Sequence, residues 1–426
     1  MSSVYCGWGA RERGIIRFDY IFLVLSLFIV YVTFRKLGVL ILRTLSSIEL
    51  FAGAGGLALG ASRAGVVPKA IVEWNKDCQN TITKNIHSKS ELTAQWPSNL
   101  YRDVRDVDFS KYKGQIDILT GGPPCQPFSM GGRHKAQSDN RDMFPQAIRA
   151  IRETNPRAFI FENVRGLTRN SFRPYFEYLT LQMRHPYLCS KPDELWTEHF
   201  SRLQAHHTGS KDDSGDYRVV SKVLNAADFG VPQNRHRVFF VGIRADLQLG
   251  WSFPNPTHSK EKLMKDLANG LYNERLKLSE SRLSVPDHIK KSLDKFRDRD
   301  YQTLPWITTR EALIDIPMPT KSGSKKFQNH FFQNGAKVYP GHTGSPLDFP
   351  AKALKAGVHG VPGGENMMRD AKGNVRYFTI RESARIQTFP DDFTVTGCWS
   401  EAMRQLGNAV PVELAHKVVG SVAKVL

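Results

Sequence analysis

The stretch SIELFAGAGGLALGASRA, residues 47–64, sets the architecture of this chain. Residues 47–51 are a short apolar run that predicts a strand, and residues 57–64 have helical spacing. The glycine-rich turn AGAGG (52–56) lies between them. Glycines let the backbone turn tightly and approach a ligand, and the start of a helix offers unpaired N–H groups. Strand, glycine turn and helix in this order are the layout of a nucleotide-binding βα unit.

The glycine turn departs from the full G-x-G-x-x-G pattern of dinucleotide-binding proteins. Gly53 and Gly55 fit its first two positions, but Ala58 stands at the third and Gly56 is additional. This difference disfavours a pyrophosphate-binding site for a dinucleotide and fits another adenosine cofactor. A nicotinamide oxidoreductase is therefore a weak alternative.

The next predicted strand, residues 70–73, ends in Glu73-Trp74. Glu73 follows Gly53 by about twenty residues, the usual distance for a carboxylate that accepts hydrogen bonds from ribose hydroxyls. Trp74 could stack on an adenine ring. A tight βα turn that binds nothing is the alternative interpretation of the glycines, and the placement of Glu73-Trp74 weakens it.

A predicted buried strand over residues 116–120 leads into the loop GGPPCQPFS (121–129). Two prolines, Pro123 and Pro124, stiffen the approach to Cys125 and donate no N–H. A lone cysteine is usually a small buried hydrophobe, but one on such a loop is a candidate nucleophile. Residues 130–142 are polar and basic and could close over a nucleic acid.

Two further strand ends carry charged side chains. The strand over residues 158–161 delivers Glu162, where burial can raise a carboxyl pKa and make the group an acid, although a structural salt bridge is the alternative. Arg235 and Arg237 precede a strand over residues 238–243. Alternation predicts that they point to opposite faces, one to the active site and the other to a phosphate or the protein frame.

Composition limits the class of protein. The 426 residues suffice for two or three domains, and 41% hydrophobic with 11% aromatic residues exclude a mainly disordered chain. The net charge of +18 favours a polyanionic partner such as nucleic acid. Five scattered cysteines indicate a reducing compartment, so we expect a cytoplasmic protein. The Cys and His residues lack the spacing of a metal site.

Residues 1–45 are an apolar extension. The uncharged run YIFLVLSLFIVYVTF (20–34) is shorter than the roughly 20 residues of a spanning helix. Three interpretations remain open: a translated upstream region that is not native, a helix docked on the domain, or a membrane anchor. We favour the first, do not favour membrane contact through residues 20–42, and expect the extension to be dispensable for activity.

From about residue 46 onward the chain resembles DNA cytosine-5 methyltransferases of the bacterial restriction–modification type. Six motifs occur in the family's order, namely FAGAGG (51–56), GGPPCQPFS (121–129), FENVRGL (161–167), QNRHRVFFVGIR (233–244), RESARIQTFPDDF (381–393) and RQLGNAVPVELA (404–415). The resemblance implies an α/β, doubly wound, Rossmann-like catalytic domain (46–250). It also implies a smaller target-recognition domain (251–376) and C-terminal motifs (377–426) that return to the catalytic domain.

The resemblance assigns roles to residues of this chain. Cys125 would add to cytosine C6, Glu162 would hold or protonate N3, and Arg237, with Arg235 as a second candidate, would orient the base. Residues implied for S-adenosylmethionine are Phe51, Gly53, Gly55, Gly56, Glu73, Trp74, Asp103, Pro124, Asn408, Ala409 and Val410. Asp106 is a near competitor of Asp103. Gln126, Ser129 and Arg133 would contact DNA.

The expected partner is double-stranded DNA, with the target cytosine flipped out of the helix. Residues 251–376 hold 21 Lys and Arg against 13 Asp and Glu, which supports phosphate contact. A cognate restriction endonuclease could act on the same site, and we expect a monomer. An RNA cytosine-5 methyltransferase and an inactive DNA-binding protein are the rivals.

Overall fold

The computed structural model describes residues 44–88, 90–124, 142–209, 216–340, 343–356 and 366–426. Leu45–Leu426 is a compact unit. Predictions for residues 1–43 and for Cys125, Gln126, Ser129 and Arg133 lie outside the described residues. Within the described ranges, no helix combines the length and apolar character needed to cross a membrane.

The first half of the unit builds the central sheet. Its strands are β1 Leu45–Leu50, β2 Val66–Val72, β3 Ile118–Gly121, β4 Ala158–Val164, β5 Tyr217–Asn225, the two-residue β6 Gln233–Asn234, and β7 His236–Arg244. All except β6 join one sheet in the order β2-β1-β3-β4-β7-β5. β7 runs antiparallel to both of its neighbours, whereas the other adjacent pairs are parallel.

Helices cover both faces of this sheet. They are α1 Gly56–Arg63, α2 Lys76–His87, α3 Phe144–Thr154, α4 Arg173–Arg184 and α5 Trp196–Gly209. One core cluster joins Ile48 and Phe159 of the sheet to α3, and a second joins Ile160 to Val418 near the C-terminus. Strands buried on both faces read as apolar runs, as AFIFENV of β4 does. The predicted doubly wound α/β fold is therefore confirmed.

The remaining elements are shorter. The helices are α6 Lys260–Ala268, α7 Leu271–Leu276, α8 Asp287–Lys290, α9 Thr309–Ala312, α10 Ile380–Ile386, α11 Trp399–Asn408 and α12 Val412–Ala423. The strands are β8 His258–Ser259, β9 Leu304–Pro305, β10 Ser345–Pro346, β11 Ala351–Lys352, β12 Met367–Arg369 and β13 Val375–Tyr377. They pair as β8-β9, β11-β6 and the three-stranded β10-β12-β13. The segment between β7 and α10 thus has little regular structure and is tied to β6 through β11.

The C-terminal helices return to the first βα unit. α12 packs along α1 so closely that a Cβ on Gly60 would collide with the side chain of Ala415. α10 begins with a capping box between Thr379 and Glu382, and Val412, the first residue of α12, donates its N–H to the carbonyl of Gln387 at 3.0 Å. This return brings residues more than 300 positions apart to the same edge of the sheet.

Candidate active site

A cavity of about 710 Å³ opens at the carboxyl edge of the parallel strands. The residues that follow β1, β2 and β3 line it, as do the end of β4 and the start of the antiparallel β7. Ligands of open α/β sheets bind at this edge. The cavity therefore lies where the order of the strands and the sequence motifs both predict it.

The glycine turn after β1 forms part of the wall. Phe51 and Gly53 both have positive φ and both line the cavity. Gly55 and Gly56, which the sequence also nominates as cofactor residues, do not line it. A Cβ on Gly55 would lie 3.0 Å from the ring of Trp96, and one on Gly56 would collide with the carbonyl oxygen of Val410. The structure therefore shows a packing role for both glycines, and their predicted contact with the cofactor stays a prediction.

Glu73 links the first two strand ends. Its carboxylate accepts N–H bonds from Gly53 and Asn75, each at 2.6 Å, so it fixes the glycine turn against the end of β2. Burial raises the pKa of Glu73, and the two backbone donors oppose that rise. Glu73 also lines the cavity, and a carboxylate oxygen that accepts one backbone bond retains the capacity to accept another.

The side of the cavity beyond Glu73 is open and basic. Trp74 is 59% exposed, and the guanidinium carbons of Arg102 and Arg105 lie 5.8 and 5.4 Å from its ring centroid. Arg105 also binds Asp103, with 2.6 Å between Nη2 and Oδ2. That hydrogen bond lowers the pKa of Asp103. Asp103 lines the cavity and Asp106 does not, which favours Asp103 among the two candidates.

A further wall comes from the end of α11. Asn408, Ala409 and Val410, which the resemblance implies for the cofactor, line the cavity although they lie more than 330 residues from Glu73. Arg404 and Gln405 of the same helix join them. A contact between such distant motifs is produced by the packing of α12 on α1.

The inner end of the cavity holds an ion pair. Glu162 on β4 and Arg237 on β7 are diagonal neighbours in the antiparallel pairing, where Arg237 is opposite Val164, and 2.7 Å separates Oε1 of Glu162 from Nε of Arg237. Glu162 is 7% exposed. Burial raises the pKa of Glu162, and the charges of Arg237 and Arg235 act against that rise. A carboxyl group that retains its proton above the usual pH can donate a hydrogen bond to a substrate.

Arg235 has a different place from Arg237. Arg235 is 1% exposed and does not line the cavity. Its guanidinium donates to the carbonyl oxygens of Leu354 at 3.0 Å and Gly407 at 2.5 Å. The two arginines therefore separate as alternation predicts, one into the cavity and one into the protein frame. The structure does not support Arg235 as a residue that touches substrate, because backbone carbonyls occupy its guanidinium.

Several lining residues were missed by the sequence analysis. Asn163, next to Glu162, donates to the carbonyl of Pro123 at 2.8 Å and holds the Pro-Pro loop against β4. Pro124, which the resemblance does imply for the cofactor, also lines the cavity. Cys78 also lines it, but burial raises its pKa to about 12, so its thiol is neutral. Asn163 could have been predicted as a lining residue because it directly follows Glu162 in sequence. No sequence pattern indicated Cys78.

Comparison with known proteins agrees with this geometry. Residues 45–185 and 199–424 match the family described as C-5 cytosine-specific DNA methylase. The Type II methyltransferase M.Eco47II of Escherichia coli is 30% identical over 381 residues, covering 89% of this chain and 79% of that protein. M.PspPI of Psychrobacter sp. (strain TA137) is 29% identical over 389 residues, covering 90% and 80%.

Two solved structures share the fold. The structure described as S. pombe Dnmt2 methyltransferase has a TM-score of 0.54 at 15% identity, covering 89% of this chain and 98% of that chain. A putative DNA modification methyltransferase encoded within an E. coli prophage has a TM-score of 0.51 at 20% identity, covering 89% and 99%. At these identities the likeness concerns the fold alone.

Proposed function

Because the chain belongs to the C-5 cytosine-specific DNA methylase family, and is thus a DNA cytosine-5 methyltransferase, we propose that methyl transfer takes place in the cavity at the carboxyl edge of its sheet. One observation carries the proposal. A single cavity contains both a rim suited to an adenosine, Glu73 with Trp74, and a buried acid–arginine pair suited to a pyrimidine, Glu162 with Arg237. Cofactor and base could therefore meet in one chamber.

The residues present fit S-adenosylmethionine. The volume lies within the range of small-molecule sites, Glu73 offers acceptors for ribose hydroxyls, and Trp74 offers a largely exposed ring on which adenine could stack. Asp103 and the Asn408–Val410 turn complete the walls. When bound, the cofactor supplies an electrophilic methyl group. The proposed task of the chain is to orient that group toward the inner end of the cavity.

The proposed chemistry begins with Cys125. Cytosine C5 is a poor nucleophile, and addition of the Cys125 thiolate to C6 breaks the ring conjugation and makes C5 enamine-like. Glu162 holds or protonates N3, so that negative charge does not build up on the ring. Arg237 contacts O2 and orients the base. After C5 is methylated, loss of its proton and departure of Cys125 restore the aromatic ring.

The proposed substrate is a flipped cytosine in a short duplex sequence, since the target atoms are inaccessible inside a base-paired helix. Residues 251–376, with an excess of eight basic over acidic residues, are proposed to read base edges and contact phosphates. Gln126, Ser129 and Arg133 are proposed to contact the DNA beside Cys125. The similarity to Type II methyltransferases suggests protection of host DNA from a cognate endonuclease.

Bisulfite sequencing of a plasmid in a host that expresses the full chain tests the proposal, with Cys125→Ser as the matched control. We expect protected cytosines at one short sequence with the chain and none with the variant. Equal protection with both would refute Cys125 as nucleophile. Unmodified plasmid together with methylated cellular RNA would favour the RNA methyltransferase instead.

A further inference from the structure

Behind the cavity, three distant pieces of the chain meet in a buried polar network. They are the residues around β6, the stretch from β11 to Ala356, and the end of α11. β11 pairs with β6 in parallel, with Ala351 opposite Gln233. This two-stranded pairing, which is separate from the central sheet, joins the segment proposed to recognise DNA to the residues that directly precede β7 and its Arg237.

Arg235 is the first connection in the network. Its two terminal nitrogens bind Leu354 O, in the recognition segment, and Gly407 O, one residue before Asn408 of the cavity wall. Its Nε has no hydrogen-bond partner among the described residues. Burying a guanidinium costs free energy unless hydrogen bonds compensate it, and here the two carbonyls come from segments that lie far apart in sequence.

Two glutamines make a second connection in parallel. Gln233 accepts the N–H of Leu354 at 2.9 Å and donates to Oε1 of Gln387, also at 2.9 Å. Gln387 donates in turn to the carbonyls of Leu406 and Ala409. Both glutamines are fully buried. The same two pieces of backbone are thus linked twice, once through Arg235 and once through the glutamine pair.

The recognition segment also rests directly on the end of α11. A Cβ on Gly407 would lie within 2.7 Å of the backbone of Lys355 and Ala356, so the two chains touch backbone to backbone. The side chain of Asn366 bonds both the N–H and the carbonyl of Lys355, at 3.1 and 3.2 Å. A shift of this part of the recognition segment therefore cannot leave Gly407, and with it Asn408, in place.

We propose that Arg235, with Gln233 and Gln387, is a positioning network that couples DNA binding to cofactor binding. DNA bound by the recognition segment fixes Leu354 and Lys355, and the network passes that constraint to the Asn408–Val410 turn of the cavity. Ordering of the turn lowers the entropic cost of cofactor binding, so the two ligands bind with positive cooperativity. This inference rests on the proposed function, because it requires both a cofactor in the cavity and DNA on the recognition segment.

Calorimetry with S-adenosylhomocysteine tests the coupling, using the full chain with and without a duplex that carries the methylated sequence. We expect DNA to tighten the Kd of the unmodified chain by roughly fivefold or more, the lower range of measured couplings. Arg235→Lys keeps the charge but cannot span both carbonyls, so its two Kd values should agree within about twofold while saturated turnover is largely retained. Gln387→Met removes the second connection. In this variant the ratio of the Kd without DNA to the Kd with DNA should fall only partly.

Arg381→Met is the matched control for general damage. Arg381 is also 1% exposed and binds three backbone carbonyls, those of Gln328, Pro390 and Phe393, but it has no bond to the network. The Arg381→Met variant should have lower thermal stability but the same ratio of Kd values without and with DNA as the unmodified chain. No DNA effect on the Kd of an active unmodified chain, or an unchanged ratio in Arg235→Lys, would overturn the coupling. Absence of methylation by the unmodified chain would instead refute the proposed function.

Discussion

The two ends of the cavity differ in how they are exposed to water. At the adenosine end, Trp74 is mostly exposed and Arg105 and Asp103 form a surface ion pair. At the base end, Glu162 and Arg237 form a pair shielded from solvent. Exposed charge pairs contribute little each, whereas removing one partner of a buried pair leaves a costly charge. Substitutions should therefore have small, distributed effects at the adenosine end and large, single-residue effects at the base end.

The largest effect should follow Glu162→Gln. The amide cannot deliver a carboxyl proton to the base, and it leaves the half-buried Arg237 without a counter-charge. Turnover should fall by roughly 10²–10⁴-fold, the typical contribution of a general acid, with the Kd for S-adenosylhomocysteine within about threefold. Single-turnover methyl transfer to duplex DNA measures the first and calorimetry the second.

Glu177→Gln is the control for this substitution. Glu177 pairs with Arg173 on the exposed face of α4 at 2.9 Å, far from the cavity lining. Its replacement should leave turnover unchanged. If Glu162→Gln retained more than about a tenth of the turnover, the carboxyl group of Glu162 would not be the general acid at the base end.

The pH dependence of turnover should reflect the ionisation of the Glu162 carboxyl group. Since burial raises the pKa of Glu162, its protonated form persists above the ordinary carboxyl range and is lost as the pH rises through the raised value. Turnover should therefore decline on the alkaline side of the profile, while ionisation of Cys125 produces the acidic limb. In Glu162→Gln the alkaline decline should vanish. Its persistence in that variant would assign the decline to another group.

Local sequence predicted that Gly53 and Glu73 meet at one edge of the sheet, because one βα unit contains both. Gly53 follows β1, Glu73 follows β2, and the adjacent parallel pairing of β1 with β2 brings the two strand ends together. The alternation of Arg235 and Arg237 was also predictable from strand geometry. In each case the relevant spacing lies within 20 residues of sequence.

Long-range partners account for what the sequence did not reveal. Arg235 binds carbonyls 119 and 172 residues away, and no pattern near Arg235 encodes them. Gly56 allows the close approach of Val410, and a glycine motif alone does not distinguish such a packing role from ligand binding. The antiparallel direction of β7 likewise depends on how the chain returns to the sheet after β5. Such roles follow from tertiary packing, which single-sequence spacing does not specify.

Glu73→Gln should give the largest effect at the adenosine end. The amide can accept only one of the two backbone N–H bonds that Glu73 now receives, and it loses a charge-assisted acceptor for the ribose. At about 1.5–3 kcal/mol per charged hydrogen bond, the Kd for S-adenosylhomocysteine should rise roughly 10–100-fold, with saturated turnover within about threefold. Asp106→Asn, whose side chain does not line the cavity, should bind normally. A Kd within twofold in Glu73→Gln would contradict the role of its carboxylate.

Gly56→Ala should act through packing instead of charge. The added Cβ meets the carbonyl of Val410, so α1 and the cavity wall must separate. Overpacking of this kind costs about 1–3 kcal/mol in the free energy of unfolding, and the displaced wall should weaken cofactor binding by roughly tenfold. Gly250→Ala, where a Cβ meets nothing within 4 Å, is the control. Denaturant titration measures the stability, and equal stability of both variants would refute the packing role.

Trp74→Ala should have the smallest effect, and it tests the comparison most directly. Base stacking on an aromatic ring contributes about 1–3 kcal/mol, and the 59% exposure of Trp74 favours the lower limit, or roughly a fivefold rise in Kd. Arg102 and Arg105 already contact this ring, and displacing them reduces the net free energy that adenine stacking contributes. Trp74→Phe should bind within about twofold of the unmodified chain. Trp74→Ala could instead weaken binding as much as Glu73→Gln. Binding at the adenosine end would then depend mainly on one side chain, and exposure to water would not explain why substitutions at the two ends differ in effect.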